Sequence, residues 1–314
     1  MNQQQIASGI SPTPLFQRPW WVVAFALTSA IAWGWAFPLV KLGFAEFAIT
    51  PDMTAAKLLF AGLRFTLAGL VVLLIAKATH RNFQVARPID WSYVAAFALV
   101  NTTLHYAFFY FGMSHSAGSR AAILNSMSSF LIVLLACLFF KSDRMTWRKA
   151  LGCCIGISGI VLLQTGNNTS GQFTFLGDGM IMINTLCAAV AGLMTRGLSR
   201  RMDIFVGTGY SLTMGGALLL AAGGTMGGHL PTVTLQGVVI LSLLISITTI
   251  GFMLYNKLLS CNPVGKIAIF NSLIPIVGTL TSCLCLNEPF HVEYLWAALL
   301  AGSGIYLINR NPKA

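Results

Sequence analysis

Ten apolar stretches, each close to the length of a membrane-spanning helix, follow one another through almost the whole 314-residue chain. They lie near residues 21–40, 55–76, 92–113, 118–140, 147–164, 177–195, 204–223, 235–255, 264–286 and 293–309. A helix needs about 20 apolar residues to cross the hydrocarbon core of a bilayer. Only 9% of the residues are charged, against roughly 25% in soluble domains. The pattern predicts an all-α integral membrane protein with ten transmembrane helices, because helices satisfy their own backbone hydrogen bonds in lipid.

The second part of the chain repeats the first. Residues 120–164 reappear, loosely, as 266–309. The matched pairs are Ala122-Ile123 with Ala268-Ile269, Asn125-Ser126 with Asn271-Ser272, Cys137 with Cys283 and, after a one-residue gap, Asp143 with Glu288 and Ser158-Gly159-Ile160 with Ser303-Gly304-Ile305. The sequence therefore predicts an N-terminal tail over 1–20 and two five-helix repeats, over 21–164 and 177–309. Duplicated membrane bundles commonly enclose a binding site between their halves.

Membrane topology explains the net charge of +11 better than nucleic-acid binding does. With the N-terminus inside, 15 of the 19 Lys and Arg residues fall in cytoplasmic segments, as the positive-inside rule requires. They are Arg18, Lys77, Arg81, Arg87, Lys141, Arg144, Arg148, Lys149, Arg196, Arg200, Arg201, Lys257, Lys266, Arg310 and Lys313. Five helices per repeat is an odd number, so the second repeat is then inverted relative to the first. We expect a multi-pass protein of the bacterial inner membrane with both termini cytoplasmic and no nucleic-acid partner, its oligomeric state open.

Several short motifs lie at characteristic places in the two repeats. They are Trp33-Gly34-Trp35-Ala36-Phe37-Pro38, Arg64-Phe65, Asp143-Arg144-Met145-Thr146, Pro275, Leu286-Asn287-Glu288-Pro289 and Ala301-Gly302-Ser303-Gly304. With the ten stretches and the repeat, they make nearly the whole chain resemble the EamA-like family of the drug/metabolite transporter superfamily. Two positions depart from the pattern: Asp143 replaces a Glu, and Ser129 stands where the second repeat has Pro275. The resemblance implies a transporter of a small organic metabolite, with export of an amino acid or a related compound as the leading expectation.

Two titratable side chains, Arg64 and His105, lie well inside predicted spans, where ionisable groups are functional candidates. Arg64 either holds a substrate carboxylate or gates the outer side, or it snorkels outward or caps a neighbouring helix end beside Asp52. His105 either binds substrate or relays a proton, or it is a neutral side chain bonded to a neighbouring hydroxyl. Every Asp and Glu maps to a loop or a helix end. This distribution favours facilitated diffusion, exchange, or coupling through His105.

Asn125 and Asn271 occupy matching positions in the two repeats. An inverted two-fold axis would place them at equal depths on opposite sides of the bilayer midplane, where they either contact substrate or bond across helices. The aromatic residues of the first and third stretches suit a flat, apolar or cationic substrate. The remaining substrate-binding candidates are Trp33, Trp35, Phe37, Tyr106, Tyr110, Asn184, Thr249 and Tyr255. The predicted site lies near the midplane, between the two repeats.

Other residue patterns indicate structure rather than chemistry. Small residues permit close helix approach, and the relevant glycines are Gly152, Gly156, Gly159, Gly302 and Gly304. The seven cysteines lack zinc-site spacing, so we predict free thiols with no metal and no cofactor. An integral-membrane enzyme, or a membrane protein that transports nothing, is the alternative to a carrier. An enzyme would need clustered acid, base or metal groups, and the five His residues are scattered.

Overall fold

The computed structural model describes residues 15–85, 87–139, 145–165, 173–262, 267 and 269–309, and these residues form helices with no strand among them. The helices are α1 (Pro19–Glu46), α2 (Thr54–Ala78), α3 (Asp90–His115), α4 (Gly118–Phe139), α5 (Trp147–Thr165), α6 (Phe175–Ser199), α7 (Ile204–Thr225), α8 (Leu235–Cys261), α9 (Leu273–Leu286) and α10 (Val292–Asn309). Most of the predicted tail, the Asp143-Arg144 pair and Lys266 lie outside the described residues.

Seven of these helices are long and apolar enough to cross a membrane, namely α1, α2, α3, α4, α6, α7 and α8. Two more, α9 and α10, are apolar over shorter lengths. The chain is therefore an all-helical, multi-pass membrane protein. Each helix begins and ends close to the edge of an apolar stretch, because in lipid the hydrophobic length of a segment sets the length of its helix.

The backbone departs from regular α-helix beside both repeated asparagines. The α-helical hydrogen-bonding pattern of α4 stops at Asn125 and resumes at Met127, so Ser126 forms a turn. In the second half, a 3₁₀ turn over Ile269–Ser272 precedes α9. Pro275 lies in the first turn of α9, where a missing backbone N–H costs no helical hydrogen bond. The break in α4 needs no proline, since the hydroxyl of Ser126 donates to the Ile123 carbonyl at 2.6 Å.

The helices pack in a regular set of pairs. The most extensive are α2 with α7 and α5 with α10; α1 packs on α8 and α9, α6 on α3 and α4, and α4 on α9. Glycine makes the α5–α10 contact possible: a Cβ on Gly304 would lie 2.5 Å from the Gly152 carbonyl oxygen and 2.7 Å from the Gly156 nitrogen. The predicted role of these glycines in close helix approach is confirmed.

The turn after α9 reaches across to the other half of the molecule. Asn287 adopts a left-handed conformation with φ of 51°, which ends α9. The carboxylate of Glu288 then accepts hydrogen bonds from the backbone N–H groups of Gly118 and Ser119, at 2.7 and 3.0 Å. It also accepts one from the Ser119 hydroxyl at 2.6 Å. A carboxylate from the second half therefore caps the N-terminus of α4 in the first half.

Candidate functional site

Arg64 lies on α2 with only 3% of its surface exposed. Its Nε donates to the Thr248 hydroxyl of α8 at 2.8 Å, and its Nη1 donates to the Tyr110 hydroxyl of α3 at 2.9 Å. No Asp or Glu of the described residues lies within ion-pair distance of it. The predicted alternative of a contact with Asp52 is wrong, since Arg64 bonds to α3 and α8. Lys57, one turn into the same helix, is the cation that Asp52 influences electrostatically.

Aromatic rings surround this guanidinium. Its Cζ lies 4.9 Å from the centroid of the Phe65 ring. The ring of Tyr106 covers Phe65 with centroids 3.8 Å apart, and Tyr110 lies edge-on to Phe65 at 6.4 Å. Faces of aromatic rings attract cations and exclude water, so this wall stabilises a charged side chain that has no carboxylate beside it.

His105 follows directly after a π-helical segment of α3 that spans Leu99–Leu104. Such segments are rare and often lie at functional positions. The His105 ring lies 4.3 Å from that of Tyr106. Its Nδ1 is enclosed and has no hydrogen-bond partner in the part of the chain that the structure describes. The predicted bond to a neighbouring hydroxyl is thus missing at this nitrogen, which leaves a polar atom beside the aromatic wall.

Trp33, Tyr255 and Asn271 form a second group, between α1, α8 and the turn before α9. The Trp33 ring lies edge-on to that of Tyr255, with centroids 4.9 Å apart. Asn271 Nδ2 donates to the Tyr255 hydroxyl at 2.8 Å. Gly251 makes room for the indole, because a Cβ there would lie 2.6 Å from Trp33 Nε1. Trp33, from the first helix, therefore lies against Tyr255 of α8, which in turn bonds to Asn271 near the end of the chain.

Asn125 and Asn184 form a third group, between α4 and α6. Asn184 Nδ2 donates to Asn125 Oδ1 at 2.8 Å. Asn184 is fully buried, and its own Oδ1 has no partner among the described residues. The break at Ser126 lies next to this pair. The two repeated asparagines therefore do not contact each other, and each forms its hydrogen bond to a different helix of the second half.

Three other candidates lie apart from these groups. Phe37 is buried edge-on against Phe109 at 5.6 Å, so it belongs to the core between α1 and α3. Thr249 points its hydroxyl at the Ala68 carbonyl, 3.5 Å away, which is a helix-packing contact. Trp35 is 40% exposed. Its side chain points away from that of Trp33, because two residues along a helix correspond to a rotation of about 200°.

The structure contains a buried ion pair that was not predicted from the sequence. Arg120 of α4 and Asp178 of α6 are joined by two hydrogen bonds of 2.9 Å, and both side chains are 3% exposed. Asp178 also accepts from the Ser116 hydroxyl at 3.4 Å and from the Thr174 backbone N–H at 3.2 Å. The sequence contained no sign that the ends of these two helices meet. Each residue lies within the first turns of its helix, and this shared position was the available signal.

Together these groups offer hydrogen-bond donors and acceptors, one guanidinium and several ring faces. Among the described residues, no three His, Cys, Asp or Glu side chains come together in a way that would hold a metal ion. The arrangement suits recognition of a small molecule that is partly polar and partly apolar.

The chain is similar to several proteins that are named as transporters. The family model described as "EamA-like transporter family" matches residues 20–165 and again 175–310. The "Uncharacterized transporter YvbV" of Bacillus subtilis is 23% identical over 292 residues, covering 90% of each chain. A "Probable amino-acid metabolite efflux pump" of Escherichia coli is 23% identical over 297 residues, covering 90% of this chain and 92% of its own. A solved crystal structure with 16% identity has the same fold, with a TM-score of 0.66 over 90% of this chain and 94% of that one.

Proposed function

The chain belongs to the EamA-like transporter family, and on that premise we propose that it carries a small organic metabolite across the membrane by alternating access. The observation that supports this most directly is the placement of three polar groups on helices that face one another across the two halves. They are Arg64 with Tyr110 and Thr248, Trp33 with Tyr255 and Asn271, and Asn125 with Asn184. The matched relatives are named as transporters, which fits a protein that is not an enzyme.

The packing pairs favour two repeats, 21–164 and 177–309, related by a two-fold axis. If α1–α5 correspond to α6–α10, the pairs α2–α7, α5–α10 and α4–α9 each map onto themselves. The α1 contacts with α8 and α9 map onto the α6 contacts with α3 and α4, and all of these contacts are present. With five helices per repeat, such an axis lies in the membrane plane. Two similar inverted halves can exchange conformations, which gives alternating access around a fixed site.

We place the solute near the breaks beside Asn125 and Asn271. Interrupted helices inside a membrane leave backbone groups that need partners, and they are found where the backbone lines a cavity. The Escherichia coli relative is named for amino-acid metabolite efflux. An amino acid or a related compound is the proposed cargo here, with export as the net direction. The placement of the basic residues favours two cytoplasmic termini, and the bacterial inner membrane is the proposed location.

Counterflow in proteoliposomes tests this function. A panel of labelled amino acids is offered outside vesicles that contain the purified protein, with or without the unlabelled compound trapped inside. A carrier that alternates access takes up label faster when the trapped compound is present, because it returns loaded. No protein-dependent flux for any compound, together with no compound that raises the melting temperature, would overturn the proposal.

The site is tested by Asn125→Ala and Asn271→Ala, which should reduce counterflow while the amount of folded protein stays unchanged. Asn256→Ala is the matched control: like that of Asn271, its Nδ2 donates to a hydroxyl at 2.8 Å, that of Thr208, but it belongs to none of the three groups. An equal loss in all three variants would favour helix packing as the role of the asparagines.

A further inference from the structure

The guanidinium of Arg64 retains hydrogen-bonding capacity. A guanidinium has five N–H donors and no acceptor. In the described residues its recorded partners are the neutral hydroxyls of Thr248 and Tyr110, and Nη2 has none. Nη2 is not fully enclosed by protein atoms, and it borders open space although the residue as a whole is buried. Arg64 therefore presents free donors and a whole positive charge to the interior of the bundle.

The other buried cations are compensated by the protein itself. Arg120 forms its two-bonded ion pair with Asp178. Lys57, 1% exposed, donates to the Pro51 carbonyl at 2.6 Å and the Ser114 hydroxyl at 3.0 Å, and it lies in the field of Asp52. A charge inside a membrane protein is costly and normally meets an opposite charge. Arg64 differs from both, because its surroundings supply hydroxyls and rings but no anion.

We infer that the transported solute carries a carboxylate and that Arg64 is the residue that binds it, an inference that rests on the proposed function. A guanidinium and a carboxylate match in a planar, two-bonded arrangement. The hydroxyls of Tyr110 and Thr248 fix the guanidinium on one side and leave its remaining donors for the solute. The Phe65 and Tyr106 rings keep water from the pair, so the site discriminates strongly against analogues that lack the carboxylate charge.

A single carboxylate fits this position better than a phosphate does. Phosphate monoesters carry close to two negative charges, whereas Arg64 supplies one positive charge. Lys57 lies seven residues away on the same helix, a rise of about 10 Å, and cannot share one ligand head group with Arg64. Its nitrogen is also directed to Pro51 and Ser114. One carboxylate facing one guanidinium neutralises the charge of Arg64, which suits a site inside a membrane.

The test compares each labelled amino acid with its own carboxamide in proteoliposomes. The carboxamide keeps the size and the ammonium group and lacks the negative charge. Wild-type protein should move the acid at least about 100-fold faster than the amide, given the strength of a desolvated charge-assisted pair. In Arg64→Gln that ratio should fall below about 3-fold, and Arg64→Lys, which keeps the charge without the planar fork, should give an intermediate ratio.

Lys57→Gln is the matched control, since it removes another buried cation from the same helix. It should change the melting temperature and leave the acid-to-amide ratio as in the wild type. Equal transport of acid and amide by the wild type would overturn the inference and leave the carrier function standing. So would an unchanged ratio in Arg64→Gln, and the comparison of acid with amide in the wild type tests the point even if that variant does not fold. Absence of flux for every acid and every amide would overturn the carrier function as well.

Discussion

Arg120 and Arg64 are equally buried, each 3% exposed, and differ in what lies opposite them. Arg120 faces the carboxylate of Asp178, which is further held by Ser116 and the backbone of Thr174. Arg64 faces two hydroxyls and a wall of rings. Burial alone therefore does not distinguish a structural arginine from a ligand-binding one. The distinction lies in whether the protein supplies the anion, and the predictions below are ordered by the size of the effect expected.

Removing the anion from the paired arginine should have the largest effect. Asp178→Asn leaves Arg120 buried without an opposite charge, and breaking a buried pair in this way costs about 3–5 kcal/mol. Thermal unfolding in detergent measures the loss. Asp52→Asn is the control, because it removes an exposed carboxylate and should shift the melting temperature far less. Similar shifts for the two variants would mean that the Arg120–Asp178 pair contributes little.

Adding an anion beside Arg64 should remove the difference between Arg64 and Arg120. Thr248→Asp places a carboxylate where Arg64 now meets a hydroxyl, so the protein would occupy the site meant for the solute. We expect counterflow of amino acids to fall by about 100-fold, a charge-assisted pair being worth several kcal/mol when desolvated. Thr248→Asn has nearly the same shape without the charge and should retain most of the flux. Comparable flux in both variants would argue against an anion-binding role for Arg64.

The end of α4 that carries Arg120 is also held by Glu288, and this contact can be removed separately. Glu288→Ala deprives the backbone N–H groups of Gly118 and Ser119 of their acceptor. Loss of such a cap costs about 1–2 kcal/mol, measured as a lower melting temperature. Glu288→Gln keeps an acceptor oxygen and should recover part of the loss. A melting temperature unchanged in Glu288→Ala would mean that Arg120 and Asp178 hold this end alone.

An effect of comparable size, on the affinity for the solute, is expected from one of the hydroxyls that orient Arg64. Tyr110→Phe removes the acceptor of the Nη1 bond, and the loss of one hydrogen bond to a charged group is worth about 1.5–3 kcal/mol at most. We expect a rise of about 10-fold in the concentration of amino acid at half-maximal flux, consistent with that range. Tyr106→Phe is the matched control, because the Tyr106 hydroxyl has no hydrogen bond within the described residues. Equal shifts in both variants would point to a general effect of ring polarity.

The smallest effect is expected at Trp35. The side chain is 40% exposed and turned away from the three polar groups, so Trp35→Leu should change stability by less than about 0.5 kcal/mol. Counterflow should remain at the wild-type rate. Trp33→Leu removes the ring that packs on Gly251 and Tyr255, and it should reduce flux. A larger loss of flux in Trp35→Leu than in Trp33→Leu would place the solute on the other face of α1.

Local sequence was sufficient for some parts of the site and not for others. Arg64 could be singled out because a charge in an apolar stretch is visible in the sequence, and Asn125 and Asn271 because the repeat aligns them. The partners of these residues could not be predicted. Thr248 is 184 residues from Arg64, and nothing in the local pattern relates the two. The break at Ser126 was not predicted either, since no proline marks it.

The sequence by itself determined the membrane class, the approximate helix bounds and the family, because hydrophobic length and local motifs are properties of contiguous residues. Which buried charge is neutralised, and by what, was decided by the tertiary structure alone. Arg120 and Asp178 come from helices that meet at their ends, while the face of α2 that bears Arg64 meets hydroxyls of α3 and α8. The attraction between opposite charges grows as their distance and the dielectric constant of the medium fall, and in this buried setting the distance is set by helix packing.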